Sequence, residues 1–463
     1  MGETASSLLY LVAIVCFILA LRFLSSPRHA RRGNQIGAAG MALAIAVTLL
    51  QDGLENLVAI GIAMVIGGAV GVVGARSVKM TAMPQMVALF NGVGGGAAAL
   101  ISLAEFHETA PLPGSLAGEE TVSIAFSALI GSISFAGSMV AFAKLQELVS
   151  GRPITYPGQQ FVNGLVVLVA LALAVAIVAG YEEQWVIWAL VVTALLFGVL
   201  FVLPIGGADM PVVISLLNAF TGLAAAATGF VLHENVLIVA GALVGASGTL
   251  LTLLMSRAMN RSIGNVLFGA FGQVQAGVGA AAAHDGRTAR ATTADDVAVM
   301  LAYARRVVFV PGYGLAVAQA QHDVRALADQ LQERGVDVKY AIHPVAGRMP
   351  GHMNVLLAEA NVPYDELVEM DQINPEFPQT DVAVVLGAND VVNPSARSDT
   401  SSPIYGMPIL DVDKAGAVVV VKRSMNPGFA GIDNPLFYDP KTVMLFADAK
   451  GALEQISAAL KSV

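Results

Sequence analysis

The stretch RRVVFVPGYGLAVAQAQ, residues 305–321, decides how the C-terminal part of the chain folds. It begins with a short run of β-branched and aromatic residues, which favours a buried strand. The glycines of PGYG permit a tight turn, and the alanine-rich residues after them favour a helix. A buried strand, a glycine turn and a helix in this order predict the beginning of an α/β domain.

The residues that follow continue this alternation. Predicted strands cover residues 306–311, 336–342, 366–370, 381–388, 416–421 and 442–447. Predicted helices cover residues 315–334, 352–360 and 450–461. Strands separated by helical segments predict a Rossmann-like domain with a six-stranded parallel sheet, whose ligands bind at the carboxyl ends of the strands.

The residues before this domain are much more apolar. The 463-residue chain is 56% hydrophobic and 13% charged, with a mean hydropathy of +0.70, which is too apolar for a single soluble domain. We therefore predict a transmembrane domain at residues 1–262, a Gly- and Ala-rich linker at 263–292 and a soluble domain at 293–463. The formal charge of −9, without a Lys- or Arg-rich stretch, argues against nucleic acid as a partner.

Nine apolar runs are long enough to cross a bilayer, which takes about 20 residues. They cover residues 6–24, 35–50, 54–74, 83–104, 121–143, 161–179, 185–203, 209–232 and 235–257. The second run is the weakest, because it is short and rich in glycine. The fold class is therefore a polytopic α-helical membrane bundle of nine spans followed by the α/β domain. The single cysteine, Cys16, excludes an intrachain disulfide, and we expect it to pack within the first span.

The charges between the spans predict an orientation. Lys and Arg residues follow spans one, three, five and nine, whereas the connections after spans two, four, six and eight carry acidic residues and neither Lys nor Arg. Because Lys and Arg accumulate on the cytoplasmic side, we expect the N-terminus outside and the C-terminal domain in the cytoplasm.

Small and polar residues mark the interior of the spans. The stretches GIAMVIGGAVGVVG at 61–74, NGVGGGAAA at 91–99 and TGLAAAATG at 221–229 predict tight helix packing. Polar residues are costly in lipid, so those within the spans indicate a structural or functional role. Each forms either a helix-to-helix hydrogen bond, the commoner case, or part of a transport path. These residues are Asn91, Ser138 and Asn218. A fourth, Asp209, lies near the cytoplasmic end of span eight, where an ordinary interfacial acid is the alternative to a transport role.

The glycine turn after the first strand fits a nucleotide site. Gly312 permits the turn, Gly314 lets the backbone approach a pyrophosphate, and the helix from Leu315 offers N–H groups to the anion. Val317 stands where the dinucleotide fingerprint has a third Gly or Ala, so an ordinary strand–helix turn is an equal alternative. The second strand ends in His343 rather than in the Asp or Glu that binds the ribose of NAD, which favours NADP.

Cations follow a later strand of the predicted sheet. Lys422, Arg423 and Ser424 come directly after a buried strand and could bind a phosphate dianion, although a solvated strand exit is the alternative. Two other strand exits place Arg348, Asn389 and Asp390 at the same edge of the sheet. With the glycine turn after the first strand, four strand ends on one edge favour a ligand site there.

Five segments carry a family resemblance. They are GYGLAVAQAQ at 312–321, HPVAGRMPGHMNVLLAEA at 343–360, GANDVVNP at 387–394, KRSMNPGFAG at 422–431 and GGADMPVVISLLNAFTG at 206–222. With these segments the chain resembles, from its first span to its last helix, the beta subunit of the proton-translocating nicotinamide nucleotide transhydrogenase.

The resemblance implies hydride transfer between NAD(H) on an alpha subunit and NADP(H) on this chain, coupled to proton translocation across the bacterial inner membrane. It implies no metal, no flavin and no catalytic nucleophile or acid/base residue. It also implies separate soluble and small membrane alpha chains and a homodimer of the alpha/beta assembly. A membrane transporter or channel with an NADP-sensing domain is the alternative.

The resemblance also assigns residues. NADP(H) contacts are expected at Gly312, Tyr313, Gly314, Val345, Ala346, Gly347, Arg348, Met349, Pro350, Gly387, Ala388, Asn389, Asp390, Val391, Gly406, Met407, Lys422, Arg423, Ser424, Met425, Asn426, Pro427, Gly428, Phe429, Asp448 and Ala449. Phe429 stands where family members usually carry Tyr, so a hydroxyl contact is expected to be absent there.

The family's proton route corresponds to Asn91, Ser138 and Asn218, with Asp209 near the cytoplasmic exit. Many members carry His where Asn91 stands, and an amide does not titrate at useful pH. Some members carry this His on a small alpha-type membrane subunit, so we expect a partner histidine close to Asn91.

Overall fold

A computed structural model of the chain describes residues 3–51, 54, 56–78, 82–109, 118–150, 153–181, 183–206, 209–259, 264, 288–347, 351–400, 402, 404–428 and 430–463. They form two compact units. One extends from the N-terminus to Leu253, and the other contains most of the remaining chain up to Val463. The predicted linker lies mostly outside the described residues, so the predicted domain boundaries stay predictions.

The N-terminal part of the described chain contains one helix for each predicted span. They are α1 (Glu3–Leu24), α2 (Pro27–Leu49), α3 (Leu57–Ser77), α4 (Met83–Thr109), α5 (Gly118–Leu145), α6 (Gln159–Val178), α7 (Gln184–Val202), α8 (Met210–Val231) and α9 (Asn235–Ala258). Within the described residues, all of these except α2 are long and apolar enough to cross a membrane. The predicted helical membrane bundle is therefore confirmed.

Helix α2 differs most from its predicted bounds. It begins at Pro27, which suits the first turn of a helix because that turn needs no N–H donor there, and runs for 23 residues. The early start adds the basic sequence PRHARR, which lowers its hydropathy. The helix packs against α1, and a Cβ on Gly40 would lie 2.7 Å from the Cβ of Cys16. Cys16 thus packs within the first helix pair, as expected.

Helix α5 is the centre of the bundle and packs against α4, α7 and α8. The crossing of α4 and α5 depends on a pair of glycines. A Cβ on Gly95 would lie 2.9 Å from the carbonyl oxygen of Gly131, and a Cβ on Gly131 would lie 2.7 Å from that of Gly95. The tight packing predicted for residues 91–99 is therefore present, because only glycine lets these two backbones approach so closely.

Helix α3 corrects the same prediction for residues 61–74. None of its residues is buried. Added Cβ atoms on Gly61, Gly67, Gly68 and Gly71 would meet nothing within 4 Å. Small residues permit a close helix contact but do not supply the second helix, and no described element of this chain packs against those glycines.

The C-terminal unit is an α/β domain. Its strands are β1 (Arg306–Pro311), β2 (Asp337–Ile342), β3 (Leu367–Glu369), β4 (Val382–Leu386), β5 (Ala417–Val421) and β6 (Thr442–Leu445). They form one parallel sheet in the order β3-β2-β1-β4-β5-β6, so the predicted six-stranded parallel sheet is confirmed. The valine runs of β1, β4 and β5 are buried because helices and loops cover both faces of the sheet.

Three helices of this unit were not predicted from the sequence. The described helices of the unit are α10 (Ala294–Ala302), α11 (Tyr313–Val317), α12 (Gln321–Glu333), α13 (His352–Glu359), α14 (Met370–Ile373), α15 (Ser395–Ser398) and α16 (Ala449–Leu460). The short helices α14 and α15 were not predicted. Helix α10 was not predicted either. Thr293 and Asp296 form a capping box at its start, and this sequence pattern indicates the beginning of a helix.

The helix predicted at 315–334 is two helices. Gln319 has a φ of 52°, in the left-handed region, and separates α11 from α12. The backbone N–H of Ala320 donates to the carbonyl of Leu315 at 3.2 Å, which closes α11 after five residues. The apolar stripe of α12 can then face the sheet independently of α11.

Candidate functional site: the strand ends and the bundle interior

The turn after β1 packs directly on the end of β4. A Cβ on Gly312 would lie 2.5 Å from the Cα of Ala388, and one on Gly314 would lie 2.6 Å from the Cα of Gly387. The N–H of Gly314 donates to the carbonyl of Gly387 at 3.0 Å. These glycines therefore serve a backbone-to-backbone contact between β1 and β4, a reason that the spacing alone did not reveal.

The irregular fingerprint position has a structural explanation. The side chain of Val317 is 47% exposed. A third Gly in such a fingerprint lets the helix approach the sheet closely. Since α11 ends at Val317, the helix does not continue over the sheet there, and a larger residue is tolerated.

His343 at the end of β2 is buried and does not face solvent. Its Nδ1 accepts from the N–H of Val345 at 3.2 Å, so its Nε2 carries the proton and donates to the carbonyl of Pro408 at 2.9 Å. Burial lowers the pKa of this imidazole to about 4. The ring is therefore neutral, and it connects two loops that the resemblance assigns to the nucleotide, 345–350 and 406–407.

After β5, the side chain of Lys422 is half-buried, whereas that of the next residue, Arg423, is exposed. The Lys422 Nζ lies 4.9 Å from the centre of the Phe437 ring and donates to the carbonyl of Asn426. Burial lowers the pKa of Lys422, whereas Asp390 and Asp433 oppose that shift. Arg423 and Ser424 are exposed.

Two contacts fasten residues 422–434 across the end of β4. The N–H of Ala430 donates to Oδ2 of Asp390 at 3.0 Å. The Nδ2 of Asn434 lies 3.1 Å from both the backbone oxygen and Oδ1 of Asn389. Between these contacts, a Cβ on Gly428 would lie 2.7 Å from Oδ1 of Asp390. Residues 422–434, hereafter the strap, therefore pass directly over the polar exit of β4.

Asn434 is a site residue that the sequence analysis missed. It is 1% exposed, and its Oδ1 accepts from the N–H of Leu436 at 3.0 Å, so that it also caps a short helical turn. The dipeptide Asn-Pro before an apolar run is the available signal for such a cap. The Nδ2 of Asn389 is buried and has no hydrogen-bond partner among the described residues, which leaves one donor at this exit for a ligand.

The other assigned residues lie along the same strand ends. Gly347, Gly387 and Gly406 have φ values of 101°, 65° and 77°, which favour glycine. Asp448 caps α16, because its Oδ1 accepts from the N–H of Gly451 at 3.0 Å. Ala346, Ala388, Met407 and Ala449 are buried, and Tyr313, Val345, Val391 and Met425 are half-buried, whereas Asn426 and Pro427 are exposed. Arg348, Met349, Pro350 and Phe429 lie outside the described residues.

Inside the bundle, the structure brings Asn91 and Ser138 together. The Nδ2 of Asn91 donates to Oγ of Ser138 at 2.9 Å and lies 3.3 Å from Oγ of Ser134. Ser134 in turn donates to the carbonyl of Leu217 at 2.8 Å and lies 2.6 Å from Oγ1 of Thr221. Asn91, Ser134, Ser138 and Thr221, hereafter the polar cluster, therefore join α4, α5 and α8. Ser134 and Thr221 were not predicted, although Ser134 lies one helical turn before Ser138.

The remaining predicted residues lie on α8 beside this cluster. Asn218 is half-buried, and its side chain makes no hydrogen bond with another described residue. It precedes Thr221 by three residues, so both are on one face of the helix. Asp209 is the N-cap residue of α8. At 1.5 Å per residue it lies about 13 Å along the axis from Asn218 and does not belong to the cluster.

A helical membrane bundle joined to a six-stranded parallel sheet with polar strand ends defines a membrane protein with a dinucleotide-binding type of domain. Comparison with known proteins gives the particular family. The family model described as NAD(P) transhydrogenase beta subunit matches residues 6–459. The NAD(P) transhydrogenase subunit beta of Rhodospirillum rubrum is 50% identical over 456 residues, covering 97% of this chain and 98% of that protein, and the subunit from a named strain of that species matches equally.

The chain therefore belongs to the NAD(P) transhydrogenase beta subunit family, a family of oxidoreductases. Membership implies the use of nicotinamide nucleotides and an alpha subunit as partner. Together with the apolar helices it identifies a multi-pass membrane protein. The transporter or channel alternative is not supported.

Proposed function

We propose that this chain binds NADP(H) at the strand ends of its sheet domain and exchanges hydride with NAD(H) held on the alpha subunit. The observation that carries the proposal is the exposed pair Arg423 and Ser424 after β5, together with the Nδ2 donor of Asn389 after the neighbouring strand β4, which has no partner among the described residues. A 2′-phosphate suits a guanidinium and a hydroxyl, because such charge-assisted hydrogen bonds are short and strong. Lys422 adds a second cation once it leaves its contact with Asn426.

The chemical step needs no nucleophile from the protein. A nicotinamide supplies the hydride chemistry, and the protein holds the two rings in position and adjusts how tightly each nucleotide is bound. The glycine loops at Gly347, Gly387 and Gly406 suit this role, because backbone without side chains can approach a ligand closely. The strap suits it as well, since it covers the polar exit of β4.

We propose further that the polar cluster is part of a proton path, continued by Asn218 and by Asp209. Its groups are hydroxyls and amides, which can relay a proton but do not hold one at neutral pH. The Oδ1 of Asn91 is buried and has no hydrogen-bond partner among the described residues, which supports an additional donor at this position. A histidine from a small membrane alpha chain is our proposed donor.

Coupling explains why a nucleotide domain is joined to a membrane bundle. NADH and NADPH have nearly equal reducing power, so hydride transfer has little driving force of its own. One charge that crosses 100 mV releases about 2.3 kcal/mol, which shifts a nucleotide ratio roughly fiftyfold. Proton binding in the bundle must then change the affinity for NADP(H), and NADP(H) must reciprocally change the affinity for the proton.

We also propose an orientation and a location, which the charge pattern supports. Lys and Arg in the connections favour an N-terminus outside and a sheet domain in the cytoplasm of a bacterium, with the bundle in the inner membrane. The alpha/beta assembly is proposed to be a homodimer with separate soluble and membrane alpha chains.

The decisive experiment uses inverted membrane vesicles that contain this chain and its alpha subunits. Reduction of an NAD analogue by NADPH and proton movement across the vesicle membrane are measured together. We expect both, and we expect neither in vesicles without this chain. Hydride transfer that persists without this chain, or that moves no protons when it is present, would contradict the proposal.

A further inference from the structure

Lys144 is a buried cation that neither the proton path nor the nucleotide site uses. It lies in the last turn of α5, and only 3% of it is exposed. Its Nζ donates to the carbonyls of Leu203 and Ile205, the latter at 2.9 Å, and lies 3.4 Å from that of Val202. By its sequence position alone, Lys144 is one of the cations that follow span five and indicate the orientation of the chain.

The three carbonyls belong to the end of α7 and to the residues after it. Helix α7 ends at Val202 and has no basic residue in its last turn. The final carbonyls of a helix lack partners within the helix and form the negative end of its dipole. Lys144 supplies from α5 the cation that α7 lacks. The carbonyl of Leu203 also accepts from the N–H of Ile154 at 3.0 Å, so the residues after α5 join the same contact.

Using a buried cation for this contact costs more free energy than using a neutral group. Neutral side chains or water can satisfy helix-end carbonyls, whereas burying an ammonium in a bundle costs much more free energy. Ionised groups inside membrane domains are therefore usually functional. The basic residues in the last turns of α1, α3 and α9, which are Arg22, Arg76 and Arg257, are exposed and make no such use of their charge.

Lys144 lies close in sequence to Ser138 of the polar cluster, and the carbonyls that it binds lie close in sequence to Asp209. Ser138 of the polar cluster precedes Lys144 by six residues on α5, about 9 Å along the helix axis. On the other side of the contact, Ile205 precedes Asp209 by four residues, and Asp209 is the N-cap residue of α8. Lys144 therefore connects the helix that carries Ser134 and Ser138 to the segment that leads into the helix that carries Asn218 and Thr221.

We propose that Lys144 is a positioning residue for proton translocation. By holding residues 202–205, it fixes the start of α8, and with it Asp209, relative to the polar cluster. The role requires the positive charge, because the charge is what makes a single side chain bind three carbonyls at the negative end of α7. This inference rests on the proposed function, since it assigns Lys144 a part in that proton path.

The test compares two reactions of the assembled complex in vesicles. Net hydride transfer from NADPH to an NAD analogue is proposed to require proton movement. Hydride exchange from NADH to the same analogue through bound NADP(H) leaves that nucleotide unchanged and requires no net proton movement. For Lys144→Met we expect net transfer and proton movement to fall about tenfold, a typical coupling between sites, while exchange stays within about twofold. Lys144→Arg should restore most of the net reaction, and Lys144→Gln should not.

Arg76→Met is the matched control, because it removes an exposed cation from the end of α3. Net transfer by this variant should equal that of the natural chain. The proposal for Lys144 is overturned if Lys144→Met keeps its net transfer, if it loses exchange and net transfer equally, or if Lys144→Gln works as well as Lys144→Arg. If the natural chain itself moves no protons, the proposed function fails instead, so the two failures are distinguishable.

Discussion

The polar cluster of the bundle and the strand ends of the sheet domain use polar groups in opposite ways. In the polar cluster, neutral side chains bond to one another and to backbone carbonyls, as between Asn91 and Ser138 at 2.9 Å and between Ser134 and Leu217 at 2.8 Å. At the strand ends, charged groups remain exposed, as at Arg423, and a buried donor on Asn389 has no partner among the described residues. The proton path that we propose for the cluster uses groups that are hydrogen-bonded internally, whereas the proposed ligand site leaves hydrogen bonds unmade until the ligand arrives.

The largest effect is expected from a substitution in the bundle that interrupts the proposed proton path. Asn218→Leu replaces a half-buried amide beside the cluster with an apolar group that cannot pass a proton. Proton movement should fall roughly a hundredfold, near the upper end of typical coupling, while NADPH binding persists. Proton uptake by vesicles and fluorescence of bound NADPH measure the two effects. Ser215→Ala, on the same helix but hydrogen-bonded towards α9, is the control. Undiminished pumping by Asn218→Leu would show that the path lies elsewhere.

On the nucleotide side, the largest effect is expected from removing both cations after β5. Each charge-assisted hydrogen bond is worth about 1.5–3 kcal/mol, so Lys422→Ala with Arg423→Ala should weaken NADP(H) binding by at least about a hundredfold. The analogue without the 2′-phosphate should lose little affinity. Calorimetry with the two nucleotides measures the difference, and Lys461→Ala, at an exposed position, is the control. Equal losses for both nucleotides would contradict a phosphate contact.

The close approach of β1 and β4 can be tested with a pair of glycines that share a positive φ. A Cβ on Gly387 would lie 2.3 Å from the Cα of Gly314, whereas one on Gly335, with a φ of 84°, would meet nothing within 4 Å. Gly335→Ala should cost about 1 kcal/mol for its backbone conformation, and Gly387→Ala about 3 kcal/mol because overpacking is added. Hydrogen exchange of the β1 and β4 amides in the full chain gives both values. Similar costs for the two would show that the loop adjusts.

His343 predicts a smaller, pH-dependent effect. Burial lowers its pKa from 6.5 to about 4. Between these two pH values the unfolded chain binds a proton at this imidazole, whereas the folded domain does not. The free energy of unfolding of the sheet domain therefore does not depend on the protonation of this group above pH 6.5 and decreases as the pH falls towards 4. About 2 kcal/mol is lost at pH 5. His343→Gln should flatten this part of the stability curve, measured by hydrogen exchange of β2. An unchanged slope in that variant would assign the acid sensitivity to other groups.

The smallest effect is expected for the strap. Asn434→Ala removes the contact to Asn389 and the cap at Leu436, so NADPH affinity should fall about tenfold, or about 1.4 kcal/mol. Asn434→Ser keeps a capping oxygen but has no amide donor, and it should resemble Ala if the contact to Asn389 matters most. Recovery of affinity in Asn434→Ser would mean that the cap, rather than Asn389, is what the residue supplies.

Two glycine-rich helices show where prediction from sequence stops. Residues 61–74 and 91–99 have similar compositions, and tight packing was expected for both. A Cβ on Gly95 of α4 would lie 2.9 Å from the backbone of α5, whereas one on Gly67 of α3 would meet nothing within 4 Å. Composition shows that a helix can accept a close neighbour, but only residues far away in the chain determine whether a neighbour is there.

Apolar run length and local periodicity were enough to predict the nine described N-terminal helices with their approximate bounds, the parallel sheet and the polar strand ends, although the second helix is not apolar enough to count as a span. Only the packed structure shows that Gly314 faces Gly387, that Ser134 and Thr221 join Asn91, and that Lys144 turns inward to the end of α7. Each of these contacts joins residues dozens of positions apart. Local pattern carries no information about such pairs, since they form only when whole helices and strands pack against one another.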